Sequence, residues 1–227
     1  MKRRSGIIQR HRAAAAAIAG AAAALGAGGC QIFGAVGAMA ESYKRGATHA
    51  VEPEYLGFDG KSFAVLVTAD RIIQADKPGL LPGLTVAISE RIRANTQASG
   101  YVPPEVMVAW LANTPRWKAM SNAEIAKALG VDRLVVIEVL EFRFHEAGNQ
   151  YLWDGLASGT LGVFERDGPI PDEFAFRKQV NVTFPDKKGS TPQDIPEATV
   201  AERLQTRFVD RLVWPFYEHQ EPYYPTY

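Results

Sequence analysis

Cysteine is almost absent from this chain of 227 residues, which contains only Cys30. A single cysteine excludes an intramolecular disulfide framework and a metal site built from several thiolates. Histidine is also scarce, with four residues, and no two of them have the spacing of a zinc-ligand pair. The sequence therefore predicts no metal site, and it contains no motif for a cofactor.

An excess of positive charge is also missing, because 25 Lys and Arg residues balance 25 Asp and Glu residues. The charges are unevenly distributed: residues 1–29 contain five basic residues and no acidic one, so the remainder has a net charge of −5. A mildly acidic remainder lacks the basic surface that nucleic-acid binding needs. The apolar content of 47% is enough for a sizeable core, so we expect a folded domain that does not bind nucleic acid.

The amino-terminal segment has the order of a secretory signal peptide. Residues 1–12 are basic, and residues 13–27 are uncharged and apolar or small. This apolar stretch is shorter than the roughly 20 residues of a membrane-spanning helix. Two alternatives remain open at this point: an alanine-rich surface helix of the mature fold, and an uncleaved anchor that continues to Ala40.

The stretch LGAGGC, which ends at Cys30, resembles the lipobox of bacterial lipoproteins. In that family, small residues precede a cysteine that is lipidated and becomes the new amino terminus. Gly28 and Gly29 fit the small positions, whereas Ala27 stands where the family usually has leucine. The resemblance implies removal of residues 1–29 and a membrane anchor of acyl chains, palmitate among them, on Cys30. Because the following residue is glutamine and not aspartate, it also implies the outer membrane, facing the periplasm.

Composition divides the rest of the chain into three parts. Residues 30–60 are predicted to form the lipidated amino terminus and a polar tether, and residues 61–219 the folded domain. As a flexible coil, such a tether spans on the order of 30 Å. Residues 220–227 form a tail rich in proline and tyrosine.

Periodicity along residues 61–219 predicts one α/β domain with a mixed sheet of roughly five strands packed by three or four helices. The predicted order is strand, helix, short strand, two helices, three strands and a final helix. Early alternation of strands and helices indicates a parallel core, and the later consecutive strands indicate antiparallel additions. Ser121 and Glu124 predict a capping box, and Gly130 a left-handed helix end.

Residues 122–142, NAEIAKALGVDRLVVIEVLEF, resemble a pattern found in a group of bacterial envelope proteins. The group comprises the amino-terminal domain of the Tol-system propeller protein, the curli-secretion lipoprotein and the lipoprotein activators of peptidoglycan synthases. Ala126, Leu129, Gly130 and Asp132 match its helix-to-strand motif. The strand Phe63–Val67 and the helix of residues 84–97 match its opening elements. The resemblance implies the fold and a binding or assembly role, and it supplies no catalytic residues.

Few residues could carry chemistry. Five acidic or histidine side chains near strand ends or turns are the candidates for a proton-transfer or hydrolytic site, although turn formation explains them equally well or better. They are Asp70, Asp132, His145, Glu146 and Asp154. The small residues of GLASGTLG, residues 155–162, lack the features of a phosphate-binding loop, so they indicate close packing against a helix or a partner.

Aromatic residues are the candidates for contact with a protein partner. Trp117 lies between two basic residues after a proline. The tail EPYYPTY could dock in a groove of a partner or pack on its own domain. The predicted partner contacts are therefore Trp117, Tyr223, Tyr224 and Tyr227.

The sequence thus favours a non-catalytic lipoprotein of the cell envelope that binds another envelope protein. A first alternative is an accessory lipoprotein of an export or transport complex, which an exposed apolar patch on the last helix or around residues 155–162 would favour. A second alternative is an exported hydrolase, which a pocket holding two or more of the five candidate side chains would favour. The sequence does not determine the oligomeric state.

Overall fold

A computed structural model describes residues 47–223 of the chain. Within this part, seven strands and five α-helices are formed. The strands are β1 Thr48–Val51, β2 Ser62–Ala69, β3 Gly100–Tyr101, β4 Arg133–Arg143, β5 Gly155–Glu165, β6 Phe174–Phe184 and β7 His219–Pro222. The helices are α1 Arg71–Asp76, α2 Leu80–Asn95, α3 Pro104–Asn113, α4 Asn122–Leu129 and α5 Glu197–Val213.

The central sheet has the strand order β3-β2-β4-β5-β6. β2 pairs in parallel with β3 and β4, and β5 pairs antiparallel with β4 and β6. The predicted fold class is therefore confirmed as a mixed five-stranded α/β sheet. The described residues contain five helices, one more than the upper limit of the prediction. The additional helix is α1, which follows β2 directly and has no buried residue that would create a periodic pattern.

The larger core lies between one face of the sheet and the helices α2 and α5. Val65, Val135 and Leu161 contribute from the strands. The apolar stripe that the sequence predicts on the last helix is completely buried there, and it consists of Val200, Leu204, Phe208 and Leu212. Fully burying a side chain of this kind contributes about 1.5–3 kcal/mol, so this stripe fixes α5 on the sheet.

A smaller core lies on the opposite face, where α3 and α4 cover β2 and β4. Leu66 and Leu134 pack there against Met107 of α3 and Ile125 of α4. The predicted capping box of α4 is present, with the Ser121 hydroxyl and the Glu124 carboxylate each accepting from the backbone of the other residue.

By its contacts the described part of the chain divides into two units, one holding residues 47–49 together with 221–223, the other holding residues 50–220. In the first unit, the Tyr223 N–H donates to the Ala47 carbonyl at 3.3 Å. The second unit contains the five-stranded sheet and all five helices. β1 and β7 form a separate two-stranded sheet.

Residues 50–60 differ from the tether that the sequence predicts. Tyr55 and Phe58 are buried, and the rings of Phe58 and Phe216 meet edge to face at 5.0 Å between centroids. This part of the predicted tether is packed on the domain, because Tyr55 and Phe58 belong to the larger core. The prediction missed these two aromatic residues because the residues around them are polar. Residues 30–46 lie outside the described part of the chain.

Candidate functional site

The candidate side chains are divided between the two ends of the parallel strands. Asp132 precedes β4 and lies at the end where β2 and β4 begin, which we call the amino end. Asp70, His145 and Glu146 follow the strands and lie at the opposite, carboxyl end, together with Asp154, which precedes the antiparallel β5. The structure therefore does not bring all five predicted residues together.

At the amino end, Asp132 joins β4 to β2. One carboxylate oxygen of Asp132 accepts from the backbone N–H of Ser62 at 3.1 Å and from its hydroxyl at 2.9 Å. The other accepts from the Arg166 guanidinium at 2.7 Å. The hydrogen bonds from Ser62, with a smaller contribution from Arg166, lower the pKa of Asp132 below its usual value. The Asp132 carboxylate therefore links the starts of β2 and β4 and the residue after β5, and these contacts serve the fold.

Arg133 is the most buried charged side chain at the amino end, and 6% of its side chain is exposed. Its guanidinium donates to the Gly57 carbonyl at 2.8 Å and forms an ion pair with Asp167. Asp167 also accepts from Lys61 at 2.6 Å. These two cations lower the pKa of Asp167 to about 2. No local sequence pattern indicates this network, because its members lie 34 to 106 positions apart.

Tyr55 completes the amino-end network. Its hydroxyl donates to a carboxylate oxygen of Glu165 at 2.7 Å, and burial followed by this hydrogen bond raises the pKa of Tyr55. A cleft of about 360 Å³ opens beside it, and its aromatic walls include Phe58 and Phe216, which belong to the core. Leu56 is exposed at its rim.

At the carboxyl end, the predicted candidates make local contacts. Asp70 caps α1 by accepting from the Ile73 N–H at 2.8 Å. Asp154 accepts from the Arg143 guanidinium at 2.9 Å. The turn-forming interpretation therefore accounts for Asp70, and an exposed ion pair accounts for Asp154.

His145 packs and does not face a polar pocket. Its ring stacks on Trp153 with 4.4 Å between centroids, and its Nδ1 lies 2.9 Å from the Leu152 carbonyl. Glu146 is exposed in the turn that follows. None of the clefts described here is lined by any of the five predicted residues.

Two clefts open at the carboxyl end, on either side of the segment Asp76–Gly79. The first has a volume of about 290 Å³ and lies between α2 and α3, with Val67 of β2, Leu81 of α2 and Val108 of α3 in its walls. Because α2 and α3 lie on opposite faces of the sheet, this is the kind of crevice in which open α/β sheets bind ligands.

The second cleft has a volume of about 270 Å³ and lies between the Asp76–Gly79 segment, the end of β4 and α5. Phe142 and Phe144 line it, together with Gln205. The Lys77 ammonium lies 4.4 Å from the centroid of the Phe144 ring, and this residue lines both clefts. Asp76 also lines the second cleft and forms an ion pair with Lys77 at 3.3 Å, so the two charges balance and the aromatic walls are suited to binding an apolar surface.

Apolar side chains are exposed at the carboxyl end, and one of them, Val108, lines the first cleft. We call this set the carboxyl-end surface. Ile72 is 78% exposed and Tyr151 is 83% exposed. The complete set is Ile72, Val108, Leu140, Tyr151 and Leu152. Motifs and periodicity did not indicate this surface, although the pair of isoleucines in the polar segment of residues 70–76 was a usable signal.

The small residues of GLASGTLG pack within the domain. A Cβ atom on Gly159 would lie 2.9 Å from the Phe208 ring and 2.7 Å from the Glu138 carbonyl oxygen. Gly155 faces the same helix, since its Cβ would lie 3.4 Å from Leu204. Of the two packing interpretations, the structure supports the one with a helix.

The predicted partner contacts have different surroundings. Trp117 is half-buried against the smaller core. Tyr223 is exposed, and its ring lies 4.7 Å from that of His49 within the same unit. Tyr224, Tyr227 and Cys30 lie outside the described residues.

Within residues 47–223, no helix has the length and apolar character needed to cross a membrane. The same part of the chain contains no cluster of three or more side chains able to hold a metal ion.

Comparison with known proteins gives likenesses of fold only. No protein-family model matches the chain, and no curated protein matches it in sequence. Among solved structures, the PelC dodecamer from Paraburkholderia phytofirmans is similar, with a TM-score of 0.45 and 11% identity over 75% of this chain and 96% of that one.

Two further solved structures show weaker similarity. Protein XCC0632 from Xanthomonas campestris, of family DUF330, has a TM-score of 0.44 and 11% identity, covering 72% of this chain and 86% of its own. Lipoprotein GNA1162 from Neisseria meningitidis has a TM-score of 0.40 and 12% identity, covering 64% and 93%. Likenesses at these identities and TM-scores do not extend to function, and the finer resemblance to the Tol-propeller group stays a prediction.

Proposed function

We propose that this chain is a non-catalytic lipoprotein of the bacterial envelope whose α/β domain binds another envelope protein. The observation that carries the binding role is the carboxyl-end surface, where Ile72, Val108 and Tyr151 are exposed and Val108 lines the cleft between α2 and α3. Several exposed apolar side chains at one end of a domain are typical of interaction sites.

Anchoring through Cys30 is supported by the sequence. A basic segment, an apolar segment and the lipobox-like LGAGGC follow one another in the order of a lipoprotein precursor. Several acyl chains provide stable membrane attachment, at about 0.8 kcal/mol per buried CH₂ group. Gln31 after the cysteine favours the outer membrane, with the domain facing the periplasm.

The non-catalytic role is supported by what the candidate side chains do. Asp132 and Asp154 are held in ion pairs, Asp70 caps a helix, and the His145 ring is stacked on Trp153. A hydrolase would need at least two such groups to converge on one pocket. The described clefts offer no such convergence, so the binding role is favoured over the hydrolase alternative.

The accessory-subunit alternative depended on an exposed apolar patch on the last helix or around residues 155–162. Both features are used inside the domain, because the stripe of α5 is buried and Gly159 packs against Phe208. No observation on the described residues favours that alternative over general envelope-protein binding.

The anchor is tested by the intact mass and membrane partitioning of the mature protein beside Cys30→Ala. We expect the wild type to begin at Cys30 with the added mass of acyl chains, and the variant to lose both that mass and the membrane association of the mature form. Cleavage elsewhere with a free thiol, or an uncleaved chain, would refute the anchor.

The binding role is tested with Ile72→Glu and Val108→Glu, with Leu56→Glu as the matched control. Leu56 is 75% exposed, about as much as Ile72, but it lies at the amino end. We expect both carboxyl-end variants to release an envelope protein that co-purifies with the wild type, while Leu56→Glu retains it. Loss of the protein in the control alone would refute this surface as the binding site.

A further inference from the structure

The cleft beside Tyr55 at the amino end, which we call the aromatic cleft, combines aromatic walls with negative charge. It has a volume of about 360 Å³ and is lined from three segments, residues 53–59, 95–97 and 216–218. All three segments belong to the unit of residues 50–220. Clefts of roughly 300–1,000 Å³ are typical of small-molecule sites, so the chemistry of this lining indicates which ligand it would accept.

Aromatic rings form the walls of this cleft. Tyr55, Phe58 and Phe216 belong to the larger core, and their rings pack edge to face with 5.0 to 6.0 Å between centroids. Tyr217 adds a fourth ring, which is half-buried. Because the core fixes the first three rings, the wall is formed in advance and a ligand does not have to order it. Aromatic rings attract cations through their negative faces.

Two carboxylates give the lining its negative charge. Asp59 and Glu218 are exposed and come from different segments, and within residues 47–223 neither side chain forms a hydrogen bond or an ion pair. No lysine, arginine or histidine of the described residues lines the cleft. Lys61 and Arg91 are close in sequence to the lining, and each forms an ion pair with an aspartate outside it. The described residues therefore leave the charge of the two carboxylates uncompensated.

The carboxyl end of α2 adds to this negative potential. α2 has sixteen residues and ends at Asn95, which lines the cleft together with Thr96 and Gln97. The N–H and the hydroxyl of Thr96 both donate to the Ile92 carbonyl, which closes the last turn. The carboxyl end of a helix carries a partial negative charge that favours a cation near its last turn. Rings, carboxylates and helix end therefore all favour the same sign of ligand charge.

We propose that the aromatic cleft binds the alkylated ammonium group of an organic cation. The aromatic rings contact the alkyl groups and attract the charge, and Asp59 and Glu218 compensate it. A hydrated metal ion suits this lining less well, because it needs several oxygen ligands. Within residues 47–223, no group of three or more side chains could supply such ligands. The cleft lies at the opposite end of the strands from the carboxyl-end surface, so this site is independent of the proposed protein-binding role.

The ligand class is tested with choline, whose dissociation constant for the full-length chain is measured by calorimetry. The matched control ligand is the neutral alcohol dimethylbutanol, in which a tert-butyl group replaces the trimethylammonium group. We expect choline to bind saturably and the alcohol to bind about tenfold more weakly. Equal affinity for both ligands would overturn the proposal, because the cleft would then select shape and not charge.

The site is located with variants that remove charge and keep shape. Asp59→Asn and Glu218→Gln should each weaken choline binding about two- to fivefold, because each loses one exposed carboxylate near the ligand. Glu90→Gln is the matched control, since it removes an exposed carboxylate of α2 that does not line the cleft. We expect this control to bind choline like the wild type. Equal weakening in all three variants would overturn the assignment to this cleft.

The contribution of the rings is tested at Tyr217, which is half-buried and not part of the buried core set. Tyr217→Phe keeps the ring and should bind choline like the wild type. Tyr217→Leu removes the ring and should weaken binding about fivefold. Thermal unfolding of both variants confirms that the domain is folded. An unchanged dissociation constant in folded Tyr217→Leu would contradict binding by the aromatic wall.

The ammonium group can reach the cleft free in solution or as the headgroup of phosphatidylcholine. Sedimentation of the Cys30→Ala chain with phosphatidylcholine vesicles separates these sources, with phosphatidylglycerol vesicles as the control. Choline binding without vesicle binding assigns a free ligand, and phosphatidylcholine-specific sedimentation that choline reverses assigns the headgroup. Absence of both would overturn the proposal. Because this chain lacks Cys30, the result is independent of the lipid anchor.

Discussion

The two ends of the parallel strands use their polar residues in different ways. At the amino end, Arg133, Asp167 and Lys61 join segments that are distant in sequence. At the carboxyl end, Asp70 and Asp154 make contacts over only three and eleven positions of the chain, and apolar side chains such as Ile72 remain exposed. The amino end is therefore joined by ion pairs between distant segments, and the proposed binding surface lies at the carboxyl end, where the polar contacts are local.

The largest predicted effect comes from removing the buried guanidinium of the amino end. Arg133→Ala should lower the free energy of unfolding by about 3 kcal/mol, because it leaves the Gly57 carbonyl without this donor and Asp167 with one cation fewer. Arg143→Ala at the carboxyl end is the matched control. Its side chain is 32% exposed, so the loss should stay below about 1 kcal/mol. Urea unfolding measures the free energy of unfolding of both variants. Equal losses of stability would contradict the distinction between the two ends.

A smaller difference in the loss of stability is expected between Asp132, which precedes β4, and Asp70, which precedes α1. Asp132→Ala should cost about 2 kcal/mol of global stability, because the Ser62 N–H and hydroxyl lose their acceptor. Asp70→Ala removes only the cap of α1, a helix without buried residues. Hydrogen exchange should show local opening of α1 in that variant, with unchanged protection of β2 and β4. Reduced protection of the whole sheet would contradict this.

The pH dependence of the free energy of unfolding should also come from the amino end, through Asp167. Lys61 and Arg133 lower the pKa of Asp167 from 3.8 to about 2, so the unfolded chain binds a proton in this range before the folded chain does. The stabilisation is complete above about pH 4 and is lost as the pH falls toward 2. Asp167→Asn should flatten the stability curve in that window, and an unchanged slope would argue against the ion pairs.

The smallest effect on stability is predicted for the carboxyl-end surface. Ile72→Glu changes a side chain that is mostly in solvent, so the free energy of unfolding should change by no more than about 0.5 kcal/mol. Thermal unfolding of this variant beside Leu56→Glu measures it. A large loss would show that Ile72 is part of the packed domain, which would remove it from the proposed binding surface.

Much of the central fold could be predicted from local patterns. The Ser121–Glu124 capping box, the left-handed Gly130 and the buried stripe that includes Leu204 and Phe208 each depend on residues close in sequence. The mixed sheet followed from the order of the elements. The short strand β3 was predicted, but β1 and β7 escaped prediction, because four residues carry no usable period and depend on a distant partner.

The candidate site was less predictable, because it depends on which residues remain exposed. Periodicity identifies the residues that pack, as for the stripe of α5, but it does not show that Ile72 and Tyr151 remain outside. The packed segment around Tyr55 and Phe58 was obscured by its polar neighbours, and its anchoring contacts to Glu165 and Phe216 are far apart in sequence. Such contacts become visible only in three dimensions.

The most direct test of the binding surface compares the two ends within the living envelope. A photo-activated cross-linking residue is placed at Ile72 at the carboxyl end or at Leu56 at the amino end, two exposed aliphatic positions of similar accessibility. We predict that position 72 captures one defined envelope protein, and that position 56 does not. Capture from position 56 alone, or equal capture from both, would contradict the assignment of the carboxyl-end surface as the binding site.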